Sequence, residues 1–139
     1  MRIIKLSPKD KDMTSRAMVD SFFTGELHKR EVPGQFLLTK GRIRENGISP
    51  EEMLVFSYNG DIVYLALSQS ERLKNNGPES NEYPFYFCVD ITTIVNGKGN
   101  LKQLESELKT NKHIVKTQGW PTIKDSPEIK RIWNQFRAK

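Results

Sequence analysis

One cysteine and two histidines in 139 residues leave little of the chemistry that a sequence can declare by itself. Cys88 has no partner for an internal disulfide, and within the apolar run YPFYFCVDI it reads as a small hydrophobe. With only His28 and His113 beside it, the chain has too few soft ligands for a structural zinc site, so neither a metal nor another cofactor is expected. The histidines adjoin no recognisable nucleophile and read as ordinary surface or structural residues. A phosphate-binding glycine loop, a nucleophile elbow and a paired-histidine metal motif are all missing, so no catalytic residue is assigned. No apolar run approaches the roughly 20 residues of a membrane span. The opening MRIIKLSPKDKD carries no hydrophobic signal core. A cytoplasmic protein without a membrane partner is the expectation. Repeats, low-complexity tracts and Pro/Ser-rich linkers are absent too, so residues 1–139 are read as one domain.

Charge is what the chain does have, and it is unevenly spread. Residues 1–45 hold 10 Lys+Arg against 6 Asp+Glu, residues 46–95 hold 2 against 7, and residues 96–139 hold 10 against 4. The segments therefore carry +4, −5 and +6, which sum to the formal +5. Such a division suits a polyanion such as nucleic acid, and equally a soluble surface rich in lysine.

Hydrophobic patterning predicts an α+β fold. RIIKLS reads as a strand with Ile3, Ile4 and Leu6 in the core. Thr14 or Ser15 caps a helix to about Phe23, with Ala17, Met18, Phe22 and Phe23 inward and Gly25 as its stop. The stretch from Glu31 to Pro50 reads as an irregular loop with a short strand at Phe36-Leu37-Leu38. Its Lys40, Arg42 and Arg44 alternate and would share one side of an extended segment. LVFSY, the turn Asn59-Gly60-Asp61 and IVYLALSQS predict a hairpin. YPFYFCVDITTIV predicts one long strand. Asn100 caps a helix with Leu101, Leu104 and Leu108 on its stripe, KHIVKT suggests a last strand, and Ser126-Pro127-Glu128 opens a C-terminal helix that buries Ile129, Ile132, Trp133 and Phe136. A mostly antiparallel sheet or barrel with peripheral helices follows from this order.

Most aromatics of so small a domain belong to its core, as Phe56, Phe85, Phe87, Trp133 and Phe136 are expected to do. Tyr58 and Trp120 stand at element ends beside the polar Ser57, Asn59 and Gln118, where they could line a cleft that stacks a base and bonds its edge. Asp61 belongs to its turn. Asp90 interrupts an apolar strand; facing inward it needs a partner or a wet pocket, and facing outward it is an ordinary surface acid.

The order EEMLVFSY, DIVYLALSQS, YFCVDI, LKQLESEL and GWPTIKDSPEIKRIW, from Ile48 to Phe136, resembles the EVE domain of the PUA-like superfamily over about two-thirds of the chain. Where many members have Gly-Asp before the first of these strands, this chain has Glu51-Glu52, and GRIREN is the loose counterpart of an Arg-Asn-rich pocket segment carrying Arg42, Arg44 and Asn46. The resemblance implies a small PUA-like pseudo-barrel that reads a modified base. That base is often a methylated or hydroxymethylated cytosine, as in 5-methylcytosine, flipped from DNA into an aromatic pocket. It also implies a place in a modification-dependent restriction system, with a nuclease as partner or fused domain. The expected site then comprises Ser57, Tyr58, Asn59, Asp90, Gln118 and Trp120 for the base and Lys40, Arg42 and Arg44 for the phosphates. Three rivals stand beside this non-enzymatic DNA-binding module: an RNA reader on the same fold, a small nucleotide-processing enzyme using Asp90 or His113 as acid or base, and a protein-interaction module.

Overall fold

The computed structural model of the protein describes residues 1–109 and 113–138. In its first strand, β1 (Arg2–Leu6), the neighbours Ile3 and Ile4 are both fully buried. Successive strand residues point to opposite faces, so the sheet must be covered on both sides. Ser15 caps α1 (Arg16–Ser21) by accepting from the Met18 amide. That helix runs on through a π-helical turn (Phe22–Glu26) into α2 (Leu27–Lys29). The buried stripe is Val19, Phe22, Phe23 and Leu27, the i, i+3, i+4, i+8 pattern of one helix face. Ala17 and Met18 therefore lie on the exposed side, contrary to expectation, because the stripe holding both phenylalanines starts at Val19. Nor does Gly25 stop the helix: its backbone is not left-handed, as a terminating glycine's commonly is.

After β2 (Gln35–Leu38), residues 39–50 form successive turns. Gly41, at φ 87°, bends the chain there, so Lys40, Arg42 and Arg44 lie on no extended segment. β3 (Met53–Tyr58) and β4 (Asp61–Leu67) make the expected hairpin, turned by Asn59 and Gly60 at φ 51° and 86°. Two left-handed residues are what a two-residue turn between right-twisted strands requires. The register jumps from Phe56↔Tyr64 to Ser57↔Ile62 and leaves Val63 as an extra residue. This bulge lets the consecutive Val63 and Tyr64 enter the same core cluster.

The long strand expected from residue 83 onward is broken in two. β5 (Leu73–Lys74) pairs with β6 (Phe85–Cys88), which ends at Cys88. Asp90 then caps a single 3-10 turn (Ile91–Thr93), accepting from the amide and hydroxyl of Thr92 at 3.1 and 2.7 Å. That local bonding competes with strand pairing, and β7 (Val95–Asn96) resumes in the other sheet. In α3 (Leu101–Glu107), Asn100 and Gln103 exchange side-chain-to-backbone bonds of 2.8 and 2.9 Å, and Leu101, Leu104 and Leu108 are buried as expected. Of KHIVKT, Lys112 lies outside the described residues; residues 113–117 form a turn rather than a strand, closed by the Thr117 amide on the His113 carbonyl. α4 (Pro127–Gln135) opens at the Ser126 cap and buries Ile129 and Ile132, with Phe136 buried just after it.

The strands form one sheet of order β1-β3-β4-β7, parallel only between β1 and β3, and a second, antiparallel sheet of order β2-β6-β5. On one face of the first sheet Ile3, Val55 and Leu65 pack with α3 and α4. On the other, Ile4, Leu54 and Phe56 pack with the N-terminal helical segment and with Phe36 and Phe87 of the second sheet. Burial on both faces explains why Leu54, Val55 and Phe56 are apolar in succession rather than alternating. The sheets meet at the Ser68↔Val89 bridge, beside an Asp90 amide to Leu67 carbonyl bond of 2.9 Å. Among the described residues they do not close into a barrel, so the α+β class stands as two mostly antiparallel sheets with peripheral helices.

Candidate functional site

A cleft of about 540 Å³, within the range of ligand sites, opens where four loops meet over the seam of the core. Phe22, Phe36 and Met13 are buried side chains that also line it, which gives it an apolar floor. Trp120, half-buried, contributes one wall. Gly119, at φ 82°, turns the chain immediately before it, and the indole is fixed from two directions. Its Nε1 donates to the Lys5 carbonyl at 3.3 Å, and its ring meets Phe36 edge-on with centroids 6.3 Å apart. The Arg42 guanidinium lies over the indole, 5.2 Å from its centroid.

Around this floor the charge is mixed but mainly positive. Lys5, Lys9, Lys11, Arg30 and Arg42 line the cleft against Asp10, Asp12 and Glu82, a surplus of two cations (5 − 3). Burial pushes the Lys5 ammonium below its usual value, against the opposing pull of Glu105. Lys5 also donates to the Thr117 and Val115 carbonyls, which ties the β1 end to the loop carrying Trp120. Lys11 bonds Glu82 at 3.4 Å across the mouth, and that contact raises its pKa.

Tyr83 lines the same cleft from the loop between β5 and β6. Burial, with Asp10, Glu82 and Asp12 nearby, pushes its phenol up to about 12, so it stays neutral at physiological pH. The loop is anchored by the buried Asn75, whose amide donates to the Tyr83 carbonyl at 2.8 Å and whose oxygen accepts from the Gly77 amide. Neither Tyr83 nor the cations Lys5, Lys9, Lys11 and Arg30 was among the residues singled out in the sequence. For Tyr83 the available signal was an aromatic closing a polar loop, the same kind that marked Trp120.

Of the residues expected to bind a base, Trp120 alone lines this cleft. Tyr58 is buried, and its hydroxyl donates to the Met13 carbonyl at 2.7 Å; it holds the loop that walls the cleft instead of lining it. Ser57 is 2% exposed within β3. Asn59 sits exposed in the hairpin turn and Gln118 exposed before Gly119. Asp90 has its carboxylate engaged by Thr92. Of the three expected phosphate ligands Arg42 lines the cleft, whereas Lys40 and Arg44 are exposed outside its lining. Among the described residues no group of three or more His, Cys, Asp or Glu could hold a metal ion, and no helix is long and apolar enough to cross a membrane. No family model, curated protein or solved structure matches the chain.

Proposed function

We propose that the chain is a nucleic-acid-binding module that accepts a modified cytosine, methylated or hydroxymethylated, flipped from DNA into the Trp120 cleft. The observation that carries this reading is the pairing of a fixed, half-exposed indole with a mainly basic rim over an apolar floor. Extruding a base costs a few kcal/mol, least where pairing is already weakened. Stacking on an aromatic ring returns about 1–3 kcal/mol, and lysine or arginine contacts to flanking phosphates add a salt-dependent term. In this reading Trp120 stacks the base, Tyr83 offers a neutral hydroxyl to its edge, and Arg42 with Lys5 and Lys9 attracts the backbone. The PUA-like pseudo-barrel belongs to the same proposal, supported by the two sheets being joined at the Ser68–Val89 bridge. So do a cytoplasmic location and a nuclease as partner or fused domain.

Titration of the chain against duplexes that differ only in carrying cytosine, 5-methylcytosine or 5-hydroxymethylcytosine tests the reading, with structured and single-stranded RNA as competitors. A modified duplex should bind more tightly than the plain one, and Trp120→Ala should weaken it by about tenfold or more, the equivalent of 1.4 kcal/mol of stacking. Equal weak affinity for all three duplexes, untouched by Trp120→Ala, would overturn the modified-base reading. A salt slope near zero would overturn nucleic-acid binding altogether.

A further inference from the structure

We propose that Arg42 covers the Trp120 ring and is drawn off it by phosphate, so that the cleft favours bases attached to a sugar–phosphate chain over free nucleosides. This inference rests on the nucleic-acid reading above and adds a specificity device to it.

Among the described residues three arginines lie over aromatic rings, and their second contacts differ. Arg30, 5.6 Å from the Phe22 centroid, is also paired with Glu26 at 3.2 Å. Arg72, 3.8 Å from the Phe85 centroid, donates to the Ile43 carbonyl at 3.1 Å. Arg42 is exposed and, among the described residues, its guanidinium has the Trp120 ring as its sole partner. It follows Gly41, whose backbone is left-handed at φ 87° and where a Cβ would meet nothing within 4 Å, so no neighbour crowds the chain just before the guanidinium-bearing residue.

An exposed cation–π contact is weak, whereas a phosphate receives a guanidinium through charge-assisted, often bidentate hydrogen bonds. The phosphate is therefore the stronger partner for Arg42. A nucleotide within a strand brings both groups at once: its phosphate takes the guanidinium, and its base takes the ring surface thereby vacated. A nucleoside brings the base alone and has to displace Arg42 without recompense. The same side chain thus opposes one ligand and helps the other.

That reversal of sign is the test. The full chain and its Arg42→Ala variant are titrated with 5-methyl-2′-deoxycytidine, followed by NMR, and with a duplex carrying one 5-methylcytosine. The nucleoside should bind the variant about two- to fivefold more tightly, the equilibrium equivalent of one exposed cation–π contact. The duplex should bind it more weakly, with the salt slope reduced by about one. In a Trp133→Phe background, acrylamide quenching of the remaining Trp120 fluorescence should rise on Arg42→Ala. If both ligands weaken together, if nucleoside affinity is unchanged, or if quenching does not rise, the cover is refuted, while Trp120-dependent binding of the modified duplex leaves the nucleic-acid reading standing. If the unaltered chain binds neither ligand, both proposals fall.

Discussion

Replacing Gly34 by alanine places a methyl group where its Cβ would lie 2.0 Å from the Val89 carbonyl oxygen. The position is also left-handed, at φ 80°. Gly41, at φ 87°, has nothing within 4 Å of the same imaginary Cβ, so the two glycines separate backbone conformation from crowding. Both alanine variants carry the left-handed penalty of about 1–2 kcal/mol. Only Gly34→Ala must also push β2 away from the chain at Val89, where the Val89 amide donates to the Gly34 carbonyl at 2.8 Å. Val89 is fully buried, and leaving such an amide unpaired costs about 1–3 kcal/mol more. Gly34→Ala should therefore exceed Gly41→Ala by about 1–3 kcal/mol in urea unfolding. At a slope of about 2 kcal/mol per molar, the midpoints should differ by about 0.5–1.5 M. Since β2 carries Phe36, the cleft floor against the edge of Trp120, tryptophan emission of the native state should also shift in Gly34→Ala. Equal midpoints for the two variants would refute the reasoning, because crowding at Val89 is the sole difference it invokes.

Tyr58→Phe keeps the ring and removes the hydroxyl that bonds the Met13 carbonyl, so it should lower stability by about 1–2 kcal/mol. Calorimetry would check the loss, and modified-duplex affinity measured well below the melting temperature should change less than twofold; lost binding with unchanged melting would instead place that hydroxyl on the ligand. The bond from Tyr64 to Asp20 sets a pH dependence. Burial, aided by Asp20, pushes the Tyr64 phenol up to about 12, above its ordinary 10. A raised folded-state value means its contribution is complete below pH 10 and is lost as the pH climbs from 10 towards 12, so alkaline unfolding should set in there and be blunted in Tyr64→Phe. For Asp20, burial alone would raise the carboxyl, but the Tyr64 hydroxyl and Arg16 outweigh it and hold it below its usual range. Its contribution is therefore lost in acid, and Asp20→Asn should flatten stability below about pH 4. With the Trp120 and Arg42 variants already described, these measurements separate residues that build the cleft from residues that would touch a ligand.

Much of the local structure could be read from residues in sequence. Asn59-Gly60 fixed the hairpin because the turn needs two left-handed residues, and Asn100 fixed the start of α3 because an N-cap side chain satisfies an amide within one turn. The π-helical continuation through Gly25 was not legible in this way. Nor was the break at Asp90, where one carboxylate bonding Thr92 diverts an apolar run that β propensity alone would extend.

The candidate site divides along the same line. Trp120 stood out because a tryptophan in a Gly-Trp-Pro turn fits no periodic core pattern, and Arg42 because it lies in a basic stretch. Tyr58 showed the same surface signs as Trp120, yet its hydroxyl meets the Met13 carbonyl, a neighbour 45 positions away in sequence. The sequence by itself determined the hairpin turn, the helix N-caps, the apolar stripes of α3 and α4 and the division of charge into +4, −5 and +6, because each depends on residues a few positions apart. The tertiary structure alone decided that β1 pairs with β3, that both faces of their sheet are buried, and that Lys5, Arg42, Tyr83 and Trp120 line one cleft. Those outcomes depend on contacts between segments tens of residues apart, which form only when several elements bury their apolar faces together.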